Sequence, residues 1–491
     1  MKSSENLLRL GHPCPGRIAP GGSRSTTAHP TRIQQSSPAR PAAPVPTSER
    51  TKAYEAPGIR STHDGATVHN RKAKRMKNWK DLTHYAGFDW AKDHHAVVIV
   101  NTEGHLVADF EFDHSLEGWN SFAEKTSAWL NLAVAIETSQ GAAVDQLLQR
   151  EYTVFPVHPV AAQSYRERKA PSGTKTDHLD AWGLADALRV DGHGWKPLQP
   201  MDPMTQQLRL LCRDEVSLIE QRTALVNQLQ QALAEYYPAA LEAFDDWTDA
   251  FTWEFVLAFP TPQALVTAGK RRWEKFLHTH RLWRPETIEK RLKLFAQADQ
   301  FKASEPIVRA KSYLAVALCK LLCTLSQQLK LYRKQIGTLF REHPDHDLFG
   351  SLPGAKEVLA PRLLAAIGND PDRYGSHEVL QCIAGTAPVS YQSGKISKVR
   401  IRWSCDKFLR YTVHLWADCF HKRSAWGQTY YQKKRDEGMS HACALRCLGQ
   451  RLLKILFRML VAKKPYDAEL HAHNQQKHGS WVLKLVDAPA T

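Results

Sequence analysis

Four carboxylates, Asp89, Glu137, Asp177 and Asp180, occur in an order and spacing suited to metal-assisted chemistry on phosphates. Asp89 closes the apolar run YAGF, Glu137 follows LAVAI, and Asp177 and Asp180 open a helix beginning near Thr176. Residues three apart on a helix share a face, so both aspartates can address one centre. Converging carboxylates repel one another and titrate high unless divalent cations compensate them. Oxygen-only donors favour magnesium or manganese over zinc. Two such ions can stabilise the attacking and leaving oxygens of an in-line phosphoryl transfer, the chemistry of DNA strand cleavage. Singly, a helix-start aspartate is usually a cap; the ordered set D, E, D-x-x-D within about 90 residues carries the inference.

The elements that must position these residues are legible from periodicity. YAGFDWAKDHHAVVIVN reads as a strand, a polar turn and a second strand, and LVADFEFD as a third. A helix is expected over roughly 116–129, a buried strand at LAVAIETS, a helix from Ala142, and a strand at VFPVHP. Three antiparallel strands followed by strand and helix alternation give an α/β, ribonuclease H-like sheet over residues 81–198. Residues 199–342 read as a helical, coiled-coil-like middle. Two long amphipathic patterns, 205–236 and about 305–341, flank an insertion containing Trp247, Trp253, Trp273 and Trp283. The long patterns fit a helical arm or, equally, ordinary bundle packing. Residues 343–465 form a mainly α unit. Its opening, LFGSLPGAKEVLAPRLLAAIG, suggests a helix-hairpin-helix whose glycine lets amides approach a phosphate. A polar tail runs over 466–491.

The formal charge is +16, which points to a polyanionic partner. Residues 1–80 hold 15 Lys and Arg against 4 Asp and Glu, so +11 lies there and only +5 in the other 411 residues. That first segment lacks an apolar period and reads as a disordered basic tail, with RKAKRMKNWK able to touch phosphates; Met76 as the physiological start is an alternative. Nine cysteines without a C-x-x-C pair fit neither a disulfide framework nor a zinc finger. Cys319 with Cys323 and Cys443 with Cys447 read as buried helix residues. No membrane span is expected, and a cytoplasmic, nucleoid-associated location fits best.

YAGFDWAKDHH, AIETSQG and APSGTKTDHLDAWGLADALR closely resemble the three blocks of the DEDD-type insertion-sequence transposases, which have a RuvC-like domain and are relatives of the Piv-type invertases. SLPGAKEVLAPRLLAAIGNDPDRYGSHEVLQCIAGTAPVSYQSGK resembles the second domain of the same family. The resemblance spans most of residues 83–462, the Trp-rich part matching poorly. It implies a metal-bound carboxylate domain and a serine nucleophile, here Ser393 of Q-S-G-K, forming a covalent link with DNA. Around Ser393 stand Lys395, Lys398, Arg400, Arg402, Lys407 and Arg410, opposed by Asp406 alone, a setting that suits holding a scissile phosphate. By residue type alone Ser393 is a turn residue, and Ser390 and Ser404 compete with it. Where many relatives carry Gly-Asn before a Leu-Arg helix start, this chain has Cys405 and Asp406.

Some members of the family are guided by a structured RNA, so a guide RNA is a further expected partner beside DNA. Trp403, Tyr411 and Trp416 suit RNA stacking or, at helical spacing, the core. A homodimer or homotetramer is expected because two duplexes must be cut. Competing functions are a junction-resolving nuclease without a protein nucleophile and a non-catalytic DNA-binding protein.

Overall fold

The computed structural model describes residues 79–481, and the basic tail expected ahead of them lies outside the described residues. Strands β1 (His84–Trp90), β2 (His94–Asn101) and β3 (Leu106–Asp113) form an antiparallel meander. After α1 (Leu116–Thr126), β4 (Leu132–Ile136) pairs parallel with β1. After α2 (Ala142–Gln149), β5 (Thr153–Pro156) pairs parallel with β4. The resulting five-stranded sheet has the order β3-β2-β1-β4-β5. This mixed sheet ahead of a largely helical remainder agrees with the ribonuclease H-like expectation.

Alternation along the strands divides the core by face. Ala86, Phe88, Val97, Ile99, Val134 and Ile136 face α1 and α2, where Phe122 and Leu147 cover them. Tyr85, Val98, Val100, Ala133 and Ala135 face α4 (Asp177–Asp191), which meets them with Ala181, Leu184, Ala185 and Leu188. Between β5 and α4 lies α3 (Pro159–Lys169), unexpected from the sequence. It contains no fully buried residue and therefore shows no apolar period.

Two long helices follow, α5 (Pro203–Tyr236) and α10 (Glu305–Glu342), joined by α6 (Pro238–Ala243), α7 (Ala250–Ala258), α8 (Pro262–Thr279) and α9 (Pro285–Ala296). Glu235 pairs with Lys311 at 2.7 Å, Glu215 with Arg333 at 3.1 Å, and Thr205 with His343 at 2.9 Å. The residue numbers rise on one helix as they fall on the other, so the pair is antiparallel. Its two ends join different cores. Leu229, Leu233, Leu318 and Leu322 enter a core built on Tyr236, Trp247, Trp253 and Trp273. The indole N–H groups of the three tryptophans donate to the carbonyls of Phe244, Trp247 and Leu265, respectively. Burying an indole requires such a partner, and with it the insertion becomes a small aromatic-cored unit.

At the other end, Leu208, Cys212, Ile336 and Phe340 enter the C-terminal core. That unit comprises α11 (His346–Gly350), α12 (Lys356–Ile367), α13 (His377–Ile383), the hairpin β6 (Val389–Ser393) and β7 (Ile396–Arg400), α14 (Lys407–His421), α15 (Ala425–Asp436) and α16 (His441–Ala462). The expected polar tail includes a further helix, α17 (Ala468–Lys477), with Asp467 as its cap. The expectation that the Pro-Gly turn approaches a phosphate is corrected. Gly354 is buried with φ of +80°, and a Cβ there would lie 3.0 Å from the backbone nitrogen of Phe420. Trp416 donates to the Pro353 carbonyl at 3.0 Å. The close approach that this glycine permits is to α14. Among the described residues no helix is long and apolar enough to cross a membrane.

Candidate active site

The pleat decides where Asp89 and Glu137 point. Asp89 lies two residues beyond Gly87 and four beyond Tyr85, on the face covered by α4. Glu137 follows Ala133 and Ala135 on that same face. Phe88 pairs with Ile136 across the parallel strands, so the next residues, Asp89 and Glu137, leave the sheet side by side.

Helix α4 brings the other two carboxylates. Thr176 caps it, accepting from the Leu179 amide at 3.1 Å, which leaves Asp177 and Asp180 free of the capping role. The helix rests directly on β1 because Gly87 has no side chain: a Cβ there would come within 1.8 Å of the Ala181 carbonyl oxygen. His178 anchors the first turn to β3 through Asp109 at 2.7 Å.

Burial raises the Asp89 carboxyl to about 7, reinforced by Asp180, Asp177 and Glu137 and opposed by Lys175. Burial likewise raises Glu137, with Asp180 adding to it and Lys175, Arg166 and His158 opposing. The four groups therefore sense one another electrostatically. They are not closed around a point: Asp180 is drawn onto Arg166 at 2.5 Å, and Asp177 faces His94 at 3.8 Å. As the side chains stand, no group of three or more His, Cys, Asp or Glu among the described residues is arranged to hold a metal ion. The donor chemistry nevertheless fits a hard dication, since a partly buried anionic cluster that pushes a carboxyl to about 7 is relieved by positive charge. Sequence reasoning missed Arg166, His94, His158 and Lys175. Arg166 was hidden with α3, and the others had no periodic signal.

Ser393 lies elsewhere, at the end of β6 beside Gly394, whose φ is +55°. Cross-strand pairing puts Tyr391 with Lys398, Val389 with Arg400, and Ser393 with Ile396 on one face of the exposed hairpin. Lys395, Lys398, Arg400 and Lys407 are exposed. Arg402 and Arg410 instead brace the hairpin's base, donating to the Ala387 carbonyl and the Arg402 carbonyl, respectively. Asp406 caps α14 through the Leu409 amide and also accepts from Arg213 of α5 at 3.0 Å. It thus fills the cap position despite the departure from Gly-Asn. Ser404 meets His158 Nε2 at 2.8 Å. Since His158 Nδ1 accepts from the Val160 amide, Nε2 carries the proton and donates to the hydroxyl. This contact ties the hairpin's root to the strand end beside Glu137; it does not activate Ser404 as a nucleophile. Trp416 is buried, Tyr411 partly so, and Trp403 is exposed.

A carboxylate-edged mixed sheet joined to a basic helical unit is an arrangement for nucleic-acid chemistry, and the comparisons identify which one. Residues 86–238 match the family described as Transposase, and residues 346–432 match the family described as Transposase IS116/IS110/IS902. The IS117 mini-circle protein of Streptomyces coelicolor, provisionally a transposase by name, is 31% identical over 404 residues, covering 80% of this chain and 97% of the relative. The insertion element IS900 42 kDa protein of Mycobacterium paratuberculosis is 29% identical over 61% of this chain and 73% of its own length. The chain belongs to the IS116/IS110/IS902 family of transposases.

Proposed function

We propose that the protein excises and inserts a DNA element by strand cleavage and exchange, with Ser393 as nucleophile and the carboxylate face as its metal-binding partner. The observation that carries this reading is the joint exit of Asp89 and Glu137 from paired strands beneath the first turn of α4, in a chain of transposase family. Asp89, Glu137, Asp177 and Asp180 would hold magnesium or manganese. Such ions, when bound, stabilise charge on the oxygens of an in-line displacement. In the strand-breaking step the Ser393 Oγ–P bond forms as a sugar O–P bond breaks. The hydroxyl proton leaves the serine, and the departing sugar oxygen gains one. Attack by another strand's hydroxyl on the serine phosphodiester then restores Ser393 and reseals DNA. Lys395, Lys398 and Arg400 supply cationic charge to the phosphate.

Two partner proposals accompany this reading. A guide RNA would find Trp403 available for stacking, with Trp416 committed to the core. A homodimer, or a homotetramer built from it, is favoured by an outward seam on α10. Ile307, Leu314, Leu321 and Leu331 are exposed there and, with Ala310, Ala317, Thr324 and Gln328, repeat at alternating three and four residue steps.

The test is cleavage of labelled element-junction DNA with magnesium and RNA from the element's flanks, followed by denaturation. Wild type should give a covalent protein–DNA band that Ser393→Ala and Asp89→Ala abolish. Cutting without an adduct, undiminished in Ser393→Ala, would establish a hydrolytic, junction-type nuclease instead.

A further inference from the structure

The tryptophan insertion leaves one of its four tryptophans out of its core. Trp247, Trp253 and Trp273 are buried with their indole nitrogens satisfied, whereas Trp283 is 39% exposed. It lies flat on the exposed ring of His278, centroids 4.0 Å apart and planes 16° from parallel. The chain makes this stack by reversing after α8. Arg281 takes a left-handed φ of +56°, and the Leu282 amide donates to the Leu277 carbonyl at 2.8 Å. A non-glycine residue in that conformation is held there by its surroundings.

The stack sits within the most one-signed stretch of the insertion. Between residues 270 and 284 there are six cations, Lys270, Arg271, Arg272, Lys275, Arg281 and Arg284, and one carboxylate, Glu274. The net of +5 equals that of all 411 residues from 81 to 491, so the remainder balances to zero. A solvated helix face normally intersperses both signs; here all six cations are exposed. Glu274 meets Lys270 at 3.8 Å. Among the described residues the other five make no ion pair with a carboxylate. Gly269, at φ of +73°, breaks α8 immediately before the first three. The segment falls between the two regions matching the transposase families, 86–238 and 346–432.

We infer that the α8–α9 turn is a second nucleic-acid site, separate from the carboxylate face and the serine hairpin, which takes a single strand or loop: its phosphates lie along Arg271, Lys275, Arg281 and Arg284, and an unpaired base stacks on the His278–Trp283 pair. Single-stranded chains are held by this combination of a cationic track with an aromatic platform, and the platform tolerates any base. A displaced DNA strand and an RNA loop offer the same chemistry. A duplex keeps its bases stacked inside and offers only the phosphates.

The test uses the full chain and fluorescence anisotropy with three probes: a 20-nucleotide single-stranded DNA, an RNA stem-loop with an unpaired loop, and a 20-base-pair duplex. Trp283→Ala should weaken binding of the single strand, the RNA loop or both by about tenfold and leave duplex binding unchanged, with Trp283→Phe restoring most of the loss. Whichever probe is affected identifies the source. Arg271→Gln with Lys275→Gln should flatten the salt dependence for that probe by about 1.4 in log–log slope. A probe carrying 5-iodouracil should crosslink to the peptide containing Trp283. Circular dichroism and melting of each variant check the fold. Asp89→Asn and Ser393→Ala should retain this binding, so failure of the catalytic reading leaves this site standing. Unchanged affinity and salt slope in the variants, or equal losses for duplex and single strand with Trp283→Ala silent, would overturn it.

Discussion

Replacing Asp89 by Asn tests whether the carboxylate face is held at an electrostatic cost. In the folded protein this carboxyl is raised to about 7 from an ordinary 3.8, by burial first and by three neighbouring carboxylates second. A group whose folded value lies above its unfolded one binds its proton more tightly when folded. Its stabilising effect is complete below about 4 and is lost as pH rises through about 7. The separation sets a ceiling of about 4 kcal/mol; partial solvent access reduces this to about 2 kcal/mol. With divalent cations chelated, Asp89→Asn should therefore melt higher than wild type at pH 8 and nearly equally at pH 4, where the effect is close to complete. For the α/β unit the difference at pH 8 is about 8 °C. The assay is a melting series over pH 4–8 in chelator, followed by circular dichroism. Adding magnesium at pH 8 should raise the wild-type midpoint and leave Asp89→Asn nearly unmoved, because the substitution removes a charged oxygen donor. A pH-independent difference between the proteins, or equal responses to magnesium, would refute the electrostatic account of this face.

Further substitutions probe its supports. Gly87→Ala would force a Cβ to within 1.8 Å of the Ala181 carbonyl oxygen, so α4 must lift from β1; melting should fall by at least the equivalent of about 3 kcal/mol, with DNA cleavage lost. Glu215→Ala leaves buried Arg362, paired to it at 2.8 Å, without its counter-charge, and denaturant unfolding should show a loss of about 3 to 5 kcal/mol. Leu314→Glu with Leu321→Glu places charges in the outward seam of α10, and light scattering should report a smaller assembly with unchanged helix content. An unchanged mass would exclude that seam as the contact between copies.

The sequence made the carboxylate-bearing elements legible because β1 and β4 are short apolar runs buried against helices on both faces, and α4 sets small and apolar residues against the sheet. Tyr85, Gly87 and Asp89 alternate with Ala86 and Phe88, and Ala181, Leu184, Ala185 and Leu188 mark the covered side of α4. What escaped notice is what lacks such a contrast. Helix α3 buries no residue completely, so Arg166, the partner of Asp180, gave no signal. The β6–β7 hairpin is exposed on both faces, so VSYQSGKISKVR shows none of the burial that identifies a strand. Gly354 was misread because a glycine after proline suits an open turn as well as a close helix crossing; only Phe420, 66 positions later in the chain, distinguishes them.

The two charged surfaces of the proposed recombination site are opposite in sign, linked and yet not neutralised by each other. Ser404 and His158 join the root of the serine hairpin to the strand end beside Glu137, and Asp406 with Arg213 joins it to α5. Lys395, Lys398 and Arg400 remain exposed on the hairpin, while Asp89 is raised to about 7 by burial among acids. Had folding stability been the sole requirement, pairing these groups would relieve both surfaces. Their separation on elements fixed by different cores, Asp89 above the sheet and the hairpin on the C-terminal helices, prevents that collapse. On the proposed reading each surface takes its own complement: divalent cations for the carboxylates and phosphates for the hairpin. A DNA strand with its bound cations supplies both together, which makes binding of the nucleic acid and relief of the carboxylate repulsion parts of one linked equilibrium. Magnesium should accordingly tighten binding of junction DNA in wild type, and Asp89→Asn should weaken that coupling while preserving binding in its absence.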